Sequence, residues 1–307
     1  MKKVLYIGAA LLIFLGGVAF YKPTLPSASL SAAVASAKSV AMLFSDFASG
    51  SFGGTNKVRI VIVPGHEPDF GGTEYRGIKE RDLVVGIADN LARLLQTQPQ
   101  YAVFQTRDGL GWNPLFKNYF ATQWDKIVAW RAQSAADFIQ LTQNGSITIT
   151  SGLLDHNTAP GDVALRLHGI NKWSNENNVD IELHIHINDY PHKNTKIPGK
   201  YSGFVIYVPE KQFLNSTTTR ALAEAIQRRL AQKFPASNLP GETAGIAETQ
   251  DLIAVGEYGS VSAASLLIEY GYIYEPRFTD PTRREETLKV MAEQTYLGMQ
   301  DFFTGQK

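Results

Sequence analysis

The sequence contains no cysteine. Disulfide bonds, thiolate nucleophiles and thiolate metal ligands are therefore excluded, and any zinc must be held by imidazole and carboxylate groups. A surplus of charge of one sign is also missing, because 29 Lys and Arg balance 29 Asp and Glu. Such a balance gives no electrostatic footprint for nucleic acid or an anionic surface, so no nucleic-acid partner is expected. There is no internal repeat. What remains is a chain of 307 residues with an ordinary apolar fraction, long enough to bury one sizeable core and carry attachments.

Met1-Lys2-Lys3 precedes an apolar run over 4–20, interrupted only by small or weakly polar residues. Its length sits at the short end of a transmembrane helix, and the positive charge before it argues for a cytoplasmic amino terminus and an exported remainder. No small-x-small cleavage site follows Phe20 directly, so residues 1–22 read as an uncleaved membrane anchor in preference to a removed signal segment. Either reading places the body of the chain outside the cytoplasm. Residues 23–56, rich in Ser, Ala and Gly and low in charge, read as a flexible tether. Within it, 36–47 carries Val40, Leu43 and Phe47, enough for a short helix resting on the bilayer or on the domain that follows.

That domain, 57–307, is organised around 58–80. A β-branched run ends on Pro64-Gly65, so a buried strand stops abruptly and presents His66 at its carboxyl end, where open α/β sheets keep their sites. A Gly- and Pro-rich loop then delivers the chain to an amphipathic helix over 80–96. Glu80 shares the apolar face of Val84, Ile87, Leu91 and Leu94, and a carboxylate there needs a cation or a strong donor. Two further strands end in chemistry-bearing residues: 181–188 closes on His184-Ile185-His186-Ile187-Asn188, and 265–271 closes on Leu267-Ile268-Glu269-Tyr270-Gly271.

The rest of the chain alternates strands and helices. Strands are expected at 101–106 and 203–208, with an uncertain one at 252–259. Helices are expected from Gly161, over 216–233 and over 281–303, while 235–249 reads as loop. The pattern gives an α/β fold, a three-layer αβα domain with a mostly parallel central sheet, preceded by the amino-terminal transmembrane helix. Residues 109–160 interrupt it as an insertion rich in aromatics, read as a packed helix with a short strand pair near 146–150, or alternatively as a lid or substrate wall.

The residues Val63-Pro64-Gly65-His66, Glu80-Arg81-Asp82-Leu83, His184-Ile185-His186-Ile187-Asn188 and Leu267-Ile268-Glu269-Tyr270-Gly271-Tyr272 together resemble the motifs of the zinc-dependent N-acetylmuramoyl-L-alanine amidases. Thr106-Arg107 falls where that family has its Thr-Arg. The resemblance spans 58–303 apart from the insertion. It implies Zn2+ held by His66, Glu80 and His186, with Glu269 as the catalytic glutamate. It also implies a peptidoglycan substrate, cut at the amide between the lactyl group of muramic acid and L-alanine on the outer side of the membrane. Two imidazoles, one carboxylate and an open position suit a catalytic zinc. An activator protein would find in the insertion a flap to displace.

This chain departs from the family pattern at three places. Val63 stands where an acid is usual, and Glu67, in place of glycine, puts an extra carboxylate beside the site and gives Asp69 an outside claim to ligate. His184 replaces a serine. Because strand side chains alternate, Glu182, His184, His186 and Asn188 share one side. Thus His184, Glu67 and Asn188 are candidates for supporting the ligands or meeting substrate. His156, His168 and His192 read as loop or helix-surface residues, and Tyr270, Tyr272 and Tyr274 as strand-end packing, with Tyr272 alternatively a contact for the peptide stem. Two other functions fit less well: a zinc carboxypeptidase-like peptidase, whose His-x-x-Glu spacing here meets Asp69, and an inactive cell-wall-binding or regulatory protein.

Overall fold

A computed structural model describes residues 38–150, 159–190, 197–255 and 262–306. A six-stranded sheet forms its centre, with neighbours in the order β4-β1-β5-β8-β6-β7. The strands are β1 (Val58–Pro64), β4 (Tyr101–Gln105), β5 (Ile181–Asn188), β6 (Val205–Pro209), β7 (Ile246–Thr249) and β8 (Ala264–Tyr272). A two-residue hairpin pair, β2 (Glu74–Tyr75) and β3 (Ile78–Lys79), decorates the loop after β1. Strands β1, β4, β5 and β8 are mutually parallel; β6 runs antiparallel to β8 and carries β7 parallel to itself.

Helices cover both faces. On one side lie α2 (Glu80–Gln96), α5 (Ser216–Leu230) and α7 (Pro281–Thr304), whose apolar residues close a core with Ile60, Ile62, Ile181, Leu183, Ile185, Leu266 and Ile268. The alternation of each strand sends the other set, Val61 and Val63 among them, to the opposite face. That face is covered by α4 (Gly161–Glu176), with α3 (Pro114–Gln143) packed on it. A short α6 (Pro276–Thr279) leads into α7. Gly298 of α7 lets the helix touch α5, since a Cβ there would come within 2.5 Å of the Ile226 backbone.

The expected three-layer architecture is thus present, and the start of α2 at Glu80 is where the sequence puts it. Several details differ. Residues 23–56 were expected as tether with a short helix over 36–47 on the bilayer or the domain, and of these two supports α1 (Val40–Ser51) takes the domain. Leu43 is fully buried, Phe47 stacks on Phe303 at 4.5 Å, and Thr218 Oγ1 donates to the Lys38 carbonyl. Ala- and Ser-rich composition resembles a linker, but three apolar side chains on one face suffice to dock a helix. Among its described residues the insertion forms one 30-residue helix held by Phe116, Phe120 and Ile127, with no strand pair at 146–150; there Thr148 and Thr150 bond to Gln212 and Gln250 instead.

Strand β7 falls inside the stretch expected as loop, and 252–255 is not a strand; edge strands are short and weakly patterned. His168 lies on α4 as expected but is completely buried, not on its surface. His156 and His192 lie outside the described residues, as does the apolar run 4–20. Among the described residues, no helix is long and apolar enough to cross a membrane.

Candidate metal centre

Parallel strands place the ends of β1, β5 and β8 at one edge of the sheet, and the site forms there. His66 leaves β1 just past Pro64. Its backbone is left-handed, with φ 65°, a conformation that costs a non-glycine residue about 1 kcal/mol or more. His186 points from β5, and Glu80 opens α2 behind them. His66 Nε2 lies 2.8 Å from Glu80 Oε2, and His186 Nδ1 lies 3.1 Å from Glu80 Oε1. The two imidazole rings meet edge to face with centroids 5.0 Å apart. One ligating atom from each of the three residues lies within 4.8 Å of the others.

Glu80 is held from both sides by the main chain. Its Oε2 accepts the Thr73 amide at 3.0 Å and its Oε1 the Ile187 amide at 3.1 Å. Burial works against its ionised form, yet His186 and His66 hold the carboxyl below the usual range, so it stays an anion. His186 is pushed down by burial, with Glu80 opposing, which keeps the imidazole neutral and its lone pair free for a metal. The backbone approaches closely here: a Cβ on Gly65 would sit 2.4–2.7 Å from the His186 ring. Gly72, at φ 81°, passes just as near, since a Cβ there would lie 3.0 Å from the His66 ring.

His66 Nε2 supplies the test of fit. It is buried and, despite its proximity to Glu80, makes no hydrogen bond. Its 2.8 Å approach to Glu80 Oε2 is a charge contact without hydrogen-bond alignment, and a cation between the three residues would take its lone pair. The donor set of two histidines and a carboxylate matches catalytic zinc, so the residues present fit that ion.

Glu269 lies opposite His186 in the β5–β8 register. Burial, then the nearby Glu80 and Glu242 carboxylates, raise its pKa well above the ordinary carboxylate value, and its Oε2 has no hydrogen-bond partner. The arrangement brings to one sheet edge three residues able to hold a metal ion and, beside them, the Glu269 carboxyl.

The remaining candidates divide. Glu67 is not among the clustered ligands; it turns to Arg166 of α4, which grips both of its oxygens, Nη2 to Oε2 at 3.0 Å. Arg166 in turn lies over the Trp124 ring of α3 at 5.8 Å. Asp69 also stands outside the cluster. His184 is buried one rung behind, its Nε2 2.8 Å from Glu182 Oε1, and ligates nothing with the other three. Asn188 accepts the Ile273 amide through its carbonyl, where the β5–β8 register shifts. Tyr270, Tyr272 and Tyr274 are buried, which settles them as packing.

Two functional neighbours were not singled out by sequence pattern. Arg107 buries its guanidinium under the His66 turn, and only the Thr-Arg resemblance hinted at it. Glu242, from a loop, is fully buried and accepts hydroxyls from Tyr207, Ser237 and Tyr272; no local signal marks a loop glutamate for burial.

No curated protein sequence matches this chain. Solved structures share its fold at low identity. The CwlD amidase from Clostridioides difficile, solved in complex with the GerS lipoprotein, is 15% identical over 81% of this chain and 100% of its own, with a TM-score of 0.52. An N-acetylmuramoyl-L-alanine amidase from Clostridium difficile 630 is 18% identical over 82% and 100%, at 0.51. The N-acetylmuramyl-L-alanine amidase Ami1 from Mycobacterium smegmatis is 13% identical over 81% and 98%, at 0.52. Residues 150–301 match the N-acetylmuramoyl-L-alanine amidase family. The matched stretch contains His186 and Glu269 but begins downstream of α3, so His66 and Glu80 rejoin it only through the fold. With that match and this site, residues 150–301 are similar to the N-acetylmuramoyl-L-alanine amidases, a family of amide hydrolases.

Proposed function

We propose that this protein hydrolyses the amide bond joining the lactyl group of N-acetylmuramic acid to L-alanine in peptidoglycan, with zinc held by His66, Glu80 and His186. The observation that carries the reading is the convergence of these three ligands from separate segments, with Glu269 across from His186. His66, Glu80 and His186 would hold the zinc, and the chemistry it would supply there is activation of water near neutral pH, to a pKa of about 7, and polarisation of the scissile carbonyl. Glu80, fixed by two amides, holds its carboxylate toward both imidazoles. Glu269, across from His186 in the β5–β8 register, would as a carboxylate take the proton of the attacking water and return it to the departing nitrogen of L-alanine.

The body of the chain then works outside the cytoplasm, where its polymer lies, with residues 1–22 as anchor and 57–307 as the hydrolase. A lipoprotein bound to the CwlD relative supports a protein partner for this chain too. A carboxypeptidase-like site has no support, since Asp69 is away from the ligands. The departures at Glu67 and His184 do not speak for an inactive protein, because both carboxylate and imidazole are taken up by partners of their own.

The full-length chain is expected to bind about one zinc and to release intact stem peptides from muropeptides. Glu269→Gln is expected to keep the metal and lose hydrolysis by roughly 100-fold or more. Mass analysis of products with metal quantitation checks both. Unchanged cleavage by the variant removes Glu269 from its role, and release of single amino acids removes the amidase reading.

A further inference from the structure

Arg107 emerges from the end of β4, beside the end of β1 in the parallel sheet. Its guanidinium is buried, with the residue 2% exposed. Nε donates to the His66 carbonyl at 2.8 Å and to the Pro64 carbonyl at 3.2 Å. Nη2 donates to the Gly65 carbonyl and, at 3.0 Å, to the Arg81 carbonyl. All of these acceptors are main-chain oxygens and none is a carboxylate.

Their positions are what matter. In an extended strand, successive carbonyls point to opposite sides, so three consecutive ones reach a single cation only if the chain curls. The curl is at His66, the first ligand, whose φ is left-handed. The fourth carbonyl belongs to Arg81, adjacent to the second ligand, Glu80. One planar fork therefore spans the two segments that carry the first two ligands, which a lysine ammonium, a single point of charge, does not reproduce. Burial lowers the Arg107 pKa to about 10, so the fork is still charged at neutral pH. Gln105 steadies it from outside, donating to the Arg107 carbonyl at 2.8 Å and to Asp89 Oδ1 at 2.6 Å.

We infer that Arg107 is the positioning residue of the metal centre, a strap that holds the His66 turn in its left-handed form and clamps it to the start of α2 so that the His66 and Glu80 donors face one point. The inference rests on the metal reading above. It touches neither substrate nor ion and acts only through the ligands.

The test is zinc affinity, measured on the full-length chain by competition with a chelating dye, with circular dichroism to confirm folding. Wild type is compared with Arg107→Lys and Arg107→Gln. Both variants are expected to keep their helical signal and to bind zinc at least about tenfold more weakly, with excess zinc restoring much of kcat and leaving KM little changed. A general loss of stability would not move metal affinity in a folded protein in this way. Folded variants with wild-type affinity overturn the proposal. Should neither variant fold, Gln105→Leu, half-exposed and one bond removed from the strap, is expected to weaken zinc binding at least about twofold with unchanged helicity, and unchanged affinity there overturns it equally. If wild type itself binds no zinc, the metal reading fails, an outcome separate from equal binding by wild type and variant.

Discussion

At the scale of single residues, the site depends on how closely backbone and imidazole approach. Gly65 is required because any side chain would enter the His186 ring, and glycine is the residue that allows main chain to pass within van der Waals reach of a ligand. Gly65→Ala is accordingly expected to leave the fold intact, turn His186 aside and reduce zinc affinity about tenfold or more. Isothermal titration with zinc checks it, and wild-type affinity in the variant would show that His186 relaxes freely. Other residues mattered differently from what their identity suggested. Glu67 and His184 stood as candidates for supporting the ligands or meeting substrate, and both have partners of their own: a bidentate arginine for the carboxylate and Glu182 for the imidazole. Burying either without one would be costly, so the surroundings chose the role.

Among the elements, α1 and α3 show how far a local pattern can carry. The 80–96 helix was legible to the residue because its apolar face repeats every three to four positions and its first residue is the buried glutamate. In α3 only Phe116, Phe120 and Ile127 are buried along 30 residues, so its length was obscured by polar positions on every other side. Its Trp124 lies under Arg166, which in turn bonds to Glu67, the residue after His66. Helix α1 was masked by small residues, yet Leu43 fills the core beneath it. Leu43→Ala is expected to destabilise the protein by about 2–5 kcal/mol, the usual cost of truncating a buried leucine. Chemical denaturation checks this; a change under about 0.5 kcal/mol, typical of a surface position, would return α1 to the tether.

For the whole molecule, the parallel order of β4, β1, β5 and β8 brings four strand ends to one edge and so gathers residues separated by more than two hundred positions. Because His66, Glu80 and His186 come from segments that no unfolded chain holds together, a metal held by them would couple its binding to folding. Chelation is expected to lower the thermal midpoint of the wild-type chain and to leave His186→Ala unaffected, as read by differential scanning calorimetry at a zinc excess of about 100 times Kd, where linkage gives about 2.7 kcal/mol. An equal response in both would mean that zinc acts elsewhere.

The sequence by itself determined the fold class and the strand ends that carry His66, His186 and Glu269, because those rest on local periodicity and on short motifs at fixed places. It left the helix over 36–47 between bilayer and body, and it did not show that β7 exists, that Glu67 is neutralised by Arg166, or that Arg107 binds the His66 turn. Each of these is a contact between residues far apart in the chain. A hydrogen-bond partner or a docking surface is supplied by whatever the fold brings near, and no periodicity in the segment itself records that neighbour.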